Sequence, residues 1–179
     1  MRHKLRSQGE VLERSRALQA ELREALGRLP SDERDVIDAV WQGEALGTLL
    51  WALQLVELPP YDKPFVSEEV AGAPLQNASL RDEEEIDLER QSARLWHWRA
   101  RTSSLQAEGS VELPERYATF DQLIAATAMR GDFPAYGKIY RHLSPAQLLE
   151  ARSIAAERQH ALNWLCGEGR TWADVTLDT

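Results

Sequence analysis

Two helical segments of this 179-residue sequence each carry a single charge on an otherwise apolar stripe, and the two charges are opposite. Between residues 32 and 56, Ile37, Trp41, Thr48, Trp51 and Leu55 follow helical spacing, and Glu44 sits in the middle of that row. Between 145 and 165, Leu148, Ala151, Ala155, Leu162 and Leu165 share a face, and Arg158 falls on it. A buried guanidinium without a partner costs several kcal/mol, so each charge must be answered inside the fold. The economical solution pairs Glu44 with Arg158 and sets the two helices side by side. Arginine suits such a site because its planar fork can meet a carboxylate along two bonds.

The rest of the chain is written in the same helical grammar. Leu18, Leu22 and Leu26 mark a first helix over 10–26, with Gly27 as its C-cap and Pro30 as a stop. Ser31, followed by Asp32 and Glu33, starts the helix over 32–56, and the three prolines of "ELPPYDKPF" break it. Ser79 caps a helix over 80–102, acidic at its start (Asp82, Glu83, Glu84, Glu85) and basic at its end (Arg94, Arg99, Arg101). That polarity complements the helix dipole. Thr119 and Gln122 form a capping box before a short helix that ends near Arg130. Ser144, Pro145 and Gln147 make the strongest start signal, a capping box with proline at the first helical position, and that helix runs to about Cys166. Residues 66–79 and 131–143 read as loops, the second with room for a short extended piece. No segment alternates as a strand does. The expectation is an all-α, single globular multi-helix domain over 31–179, with 1–30 as an N-terminal helical appendage.

Charge and cysteine usage narrow the classes of partner. The net charge of -8 is unevenly placed: residues 1–28 hold seven Lys/Arg and four Glu, and the remainder holds fourteen Lys/Arg against twenty-five Asp/Glu. An acidic body repels phosphate backbones, so nucleic acid is not expected as a partner. The longest apolar run, Leu49 to Val56, is far shorter than the ~20 residues of a membrane helix, and no apolar stretch follows the basic N-terminus as in a secretory signal. One cysteine suits a reducing compartment, and the expected location is the cytoplasm.

Four stretches, "WQGEALGTLLWALQLVELPP" at 41–60, "EEEIDLERQSARLWHWRAR" at 83–101, "GKIYRHLS" at 137–144 and "ERQHALNWLCGEGRTWADVTLDT" at 157–179, stand in an order that resembles the bacterial domain-of-unknown-function family 4272. The likeness covers most of the chain from about residue 36, and the closing stretch is its most specific part. The resemblance implies a helical fold in the bacterial cytoplasm. The family is defined by recurring residues and not by a reaction, so no catalytic role comes with it.

The candidate polar core cluster is Glu44, His97, Arg158 and Asp174. His97, near the end of its helix, should favour its protonated form there. Asp174 caps the last turn or pairs nearby, Arg158 included. Cys166 ends a helix, where the dipole raises a thiol pKa and blunts a nucleophile. Trp172, after the Gly167–Gly169 turn, folds back to plug an apolar gap. No His/Cys/Asp/Glu group has the spacing of a zinc or di-iron site, and no phosphate-binding glycine loop or nucleophile motif calls for a cofactor. Two functions fit these residues. The leading one is a protein-binding or adaptor module, immunity-like in that it would act by occupying another protein. The other is an enzyme or small-ligand-binding protein with a pocket near Glu44, His97 and Arg158.

Overall fold

The computed structural model describes residues 4–28, 33–107 and 132–177. Five α-helices are described: α1 (Gln8–Gly27), α2 (Glu33–Ala52), α3 (Ser67–Gly72), α4 (Glu83–Ala107) and α5 (Pro145–Leu165). A two-residue hairpin, β1 (Pro134–Ala135) with β2 (Lys138–Ile139), pairs antiparallel between α4 and α5. Single 3₁₀ turns follow at Tyr140–His142 and Trp172–Asp174. The fold is all-α, as the helical spacing required.

α5 is the spine. It packs on α4 along one side and on α2 along another, and α1 and α3 close over α2. Leu46, Leu49 and Leu50 of α2, Leu53 just after it, Ile86 of α4 and Ile154 and Leu162 of α5 are wholly buried in one core. The segment expected as an appendage supplies Val11, Leu18 and Leu22 to that same core. The capping boxes at Ser7–Glu10 and Ser144–Gln147 start α1 and α5. The second was expected; the first was not. Ile37 is exposed, so the apolar stripe of α2 begins further along the helix.

Boundaries differ where the stop signal is not glycine. α2 ends at Ala52 and not near 56. Gln54 takes φ 58°, Leu55 N–H donates to Leu50 O and Gln54 N–H to Trp51 O, the Schellman arrangement with glutamine in the left-handed seat. That seat costs a non-glycine residue about 1 kcal/mol, and the chain that follows repays it. Ser79 N–H donates to Leu53 O, and Arg81 N–H to Ala52 O. α5 ends the same way around Gly167 at φ 85°, with Glu168 N–H on Asn163 O and Gly167 N–H on Trp164 O. The six-residue α3 lies where a loop was expected, too short for a helical period to register. α4 runs on to Ala107, past the expected end near 102. The expected helix at 119–130 lies outside the described residues, as does the Ser31 cap.

Each Schellman end is sealed by an arginine from elsewhere in the chain. Arg81 Nε donates to Trp51 O at 2.8 Å while its guanidinium lies 4.8 Å above the Trp51 ring. Arg6 Nε donates to Trp164 O at 2.8 Å with its guanidinium 4.4 Å above the Trp164 ring, and Arg6 N–H donates to Leu165 O. A cation on the orphan carbonyls of a helix end is favoured by hydrogen bonding and by the dipole, and the indole face adds a cation–π contact.

The chain after α5 returns over that helix. Trp172 lies edge-on to Trp164 at 5.4 Å, its carbonyl accepts from His160 Nε2 at 3.0 Å, and Arg14 of α1 covers its ring at 4.5 Å. Burial, more than the nearby Arg14 cation, holds the His160 pKa below its ordinary value. Trp172 is half-buried and so seals an edge of the core more than it fills a gap. Trp172→Ala is therefore expected to lower unfolding stability by about 2 kcal/mol, less than the 3–5 kcal/mol of a fully buried aromatic. Urea unfolding measures this, and an unchanged midpoint would show that the returning segment is not fastened.

Candidate functional site

Glu44 and Arg158 meet. Arg158 Nε donates to Glu44 Oε2 at 3.0 Å, and both side chains are 0% exposed. The helical stripes place them there: Glu44 faces inward with Thr48, whose hydroxyl donates to Glu44 O, and Arg158 faces inward with Ile154 and Leu162. The pair does more than join α2 to α5. Arg158 Nη1 donates to Pro59 O at 2.6 Å and Nη2 to Lys63 O at 3.0 Å, and Phe65 N–H donates to Glu44 Oε1 at 2.5 Å. The loop between α2 and α3 is thus wrapped around the ion pair, and Tyr61 and Phe65 lay their rings 4.8 and 5.3 Å from the guanidinium. Phe65 can approach because residue 47 is glycine: a Cβ there would stand 2.4 Å from the ring. Burial pushes the Glu44 carboxyl above its usual range, while Arg158 and the Phe65 amide pull it down.

His97 and Asp174 are not part of this cluster. His97 is buried in the middle of α4, because that helix continues ten residues beyond it. The helix-end argument for a protonated ring therefore fails. Burial, with the cations of Arg101 and Arg152 nearby, holds the His97 pKa below its ordinary value, and its Nδ1 is buried without a hydrogen-bond partner. Asp174 is exposed and accepts Thr171 N–H at 2.8 Å, which lowers its pKa; it is a turn cap and does not pair with Arg158. Cys166 is buried, and burial raises its thiol to about 11, so the direction expected from the helix end holds with desolvation as the larger cause. Among the described residues no group of three or more His, Cys, Asp or Glu could hold a metal ion.

A second buried ion pair escaped the sequence reading. Arg99 Nε and Nη2 donate to Asp132 Oδ1 and Oδ2 at 2.7 and 3.0 Å, and side-chain exposure is 0% and 2%. Asp132 also accepts the backbone N–H groups of Phe133 and Arg141, both at 2.9 Å, so it organises the hairpin from its base and its pKa is lowered. Arg99 was expected to serve the helix dipole. It lies instead three and four residues after the buried Trp96 and Leu95, the inward signature that identified Glu44 and Arg158. Trp96 joins the two ion pairs: it stacks on Tyr61 at 5.1 Å and meets Phe133 edge-on at 4.9 Å. The Tyr61 hydroxyl donates to Glu89 at 2.7 Å. Trp96 therefore faces the core and is no platform for nucleobases.

Glu157, beside Arg158 on α5, was also missed. Burial, with the neighbouring Glu44 charge, raises its carboxyl to about 7.

The fold and the sealed ion pair define a small helical domain whose best-positioned charged groups are internal. The chain belongs to the family described as Domain of unknown function (DUF4272), whose family model matches residues 20–125. That match begins within α1 and ends before α5, so the closing stretch at 157–179 lies outside it. No curated protein and no solved structure matches the chain.

Arg158→Met or Glu44→Leu alone is expected to cost 3–5 kcal/mol, because each leaves a charge buried and unpaired. The double variant should cost well below the sum of the two. It will not be neutral, since Pro59 O, Lys63 O and Phe65 N–H lose their partners, each worth about 1 kcal/mol or more. Additive single effects in a double-mutant cycle would show that the pair is uncoupled. Glu157 gives a pH signature. Its folded pKa of about 7 lies above the ordinary 4.5, so the folded state holds the proton longer and loses stability as pH rises from 4.5 to 7. Glu157→Gln removes that loss. The variant should match the parent near pH 4 and exceed it at pH 8 by about 2 kcal/mol, less than a wholly buried carboxyl would give. Equal stability at pH 8 would refute the raised pKa.

Proposed function

We propose that this chain is a protein-binding module of the bacterial cytoplasm, an adaptor that acts by occupying a surface of another protein, in the manner of an immunity protein or an assembly factor. The observation that carries this reading is the sealing of the Glu44–Arg158 pair. A catalytic carboxylate needs access to substrate, and a substrate-clamping arginine needs free donors. Here Glu44 spends both oxygens on Arg158 and Phe65, and Arg158 spends all three nitrogens on Glu44, Pro59 and Lys63. The alternative, an enzyme or small-ligand receptor centred on Glu44, His97 and Arg158, would need donors and oxygens that this pair has already committed. No described helix is long and apolar enough to cross a membrane, which agrees with a module that works in water. The net charge of -8 favours a basic partner face for much of the surface.

Affinity purification of the tagged chain from its native cells tests this. A protein partner should co-elute in fixed ratio at about 0.1 M salt and leave as salt rises towards 1 M, where the screening length falls from about 10 Å to about 3 Å. Recovery of a bound metabolite that raises Tm, with no protein partner, would overturn the adaptor reading in favour of the receptor.

A further inference from the structure

The first 28 residues, with seven Lys/Arg and four Glu, stand out as basic in an acidic chain, and the fold accounts for only part of their positive charge. Arg6 seals α5, Arg14 covers Trp172, and Arg28 pairs with Glu24. Arg16 is exposed and has no partner among the described residues. Arg23 uses Nε to donate to Ala71 O at 2.7 Å, which fixes the direction of its guanidinium. These two arginines line an open cleft of about 550 Å³ between α1 and residues 72–76, and no carboxylate lines it. Its wall is built by a buried side chain: the Gln19 amide, 3% exposed, donates to Val70 O at 3.0 Å and to Ala73 O at 2.9 Å. Pro74 and Leu75 give the cleft an apolar part.

We propose that this cleft binds an extended acidic segment of a partner protein, with Arg16 and Arg23 pairing carboxylates three residues apart. The inference rests on the protein-binding reading and names the chemistry of one partner. Charge complementarity and spacing support it. Seven helical residues separate the arginines, a rise of ~10.5 Å along α1. Three residues of polyproline II chain, an extended form with three residues per turn, span ~9 Å and bring the second carboxylate back to the same side. Carboxylates three apart on a helix lie only about 5–6 Å apart, so the acidic first turn of α4 in a second copy fits less well. A nucleic-acid strand would bring a dense row of phosphates against a chain of net charge -8, whereas a short acidic segment brings two charges to two arginines.

Fluorescence anisotropy of the full chain with labelled ten-residue peptides tests the cleft. The peptides carry two glutamates three apart, two adjacent glutamates, or one glutamate, in a Ser/Thr/Leu background. Arg28→Glu changes net charge as Arg16→Glu does, but outside the cleft. The spaced pair should bind about tenfold more tightly than the single glutamate, and Arg16→Glu should remove about tenfold where Arg28→Glu removes less than about threefold. Melting of Arg16→Glu should match the parent, since Arg16 is exposed. Equal binding of all peptides, equal loss in both variants, or tighter binding of a ten-residue oligothymidine than of any peptide would each overturn the cleft. A cellular partner that still co-purifies with Arg16→Glu overturns the cleft and leaves the adaptor reading standing. Spaced-pair binding in a chain that captures no cellular protein overturns the adaptor reading and upholds the chemistry of the cleft.

Discussion

The contact on which the structure depends is the salt bridge from Arg158 to Glu44. Neither charge is placed there to attract the other in water, where such a pair contributes little. Both are placed where water cannot follow, and there the pair holds only if every remaining donor and acceptor is met. The loop from Pro59 to Phe65 meets them with three backbone groups. Three separate parts of the chain therefore fix one another: α2 through Glu44, α5 through Arg158, and the loop between α2 and α3. Gly47 lets Phe65 close the arrangement, and Tyr61 passes it on through its stack with Trp96 to α4. The Arg99–Asp132 pair repeats the device on the other side of Trp96 and anchors the hairpin.

How much of this was legible depended on whether a residue declares its surroundings through its own periodicity. Glu44 and Arg158 did, because a charge inside a row of Trp, Leu and Ala contradicts its neighbours. Arg99 declared itself in the same way but was read with Arg94 and Arg101 as a basic helix end, whereas the last turn of α4 holds no basic residue. Asp132 did not, since an aspartate in a glycine-bearing loop looks like any turn residue. His97 misled because the end of α4 was placed near 102, and a few residues of error at a boundary reverse the dipole argument. Asp174 was legible as a cap and illegible as anything else. The family matched, yet the match stops before the helix that carries Arg158. The residues that hold the core together and the residues that define the family therefore overlap only in part.

Helix ends were the least legible part of the fold. Proline and glycine announce a stop, and α5 obeyed them. α2 stops on Gln54, which has no intrinsic preference for the left-handed seat. What ends that helix is the strand of chain arriving at Ser79 and Arg81, nearly thirty residues later. A boundary set by distant hydrogen bonds leaves no local mark in the sequence. The Arg81–Trp51 and Arg6–Trp164 seals are alike in atoms and geometry, and in each the arginine follows a leucine, Leu80 or Leu5. Each puts one guanidinium on the carbonyl and on the ring of the same tryptophan.

The Arg6 seal also sets an order of events. Arg6 is made 158 residues before Trp164 and 163 before Gly169, yet it bonds the carbonyls of both. During synthesis α1 can gather on α2 and α3 as soon as those helices emerge. The seal has to wait until α5 and its glycine turn have left the exit tunnel. Closure of this domain is thus a late, long-range step, and loop-closure entropy makes such steps slow compared with helix growth. Until it occurs, α5 lacks the cap that steadies its end, and the nascent chain presents Trp164 without its arginine cover to the chaperones and proteases that survey it.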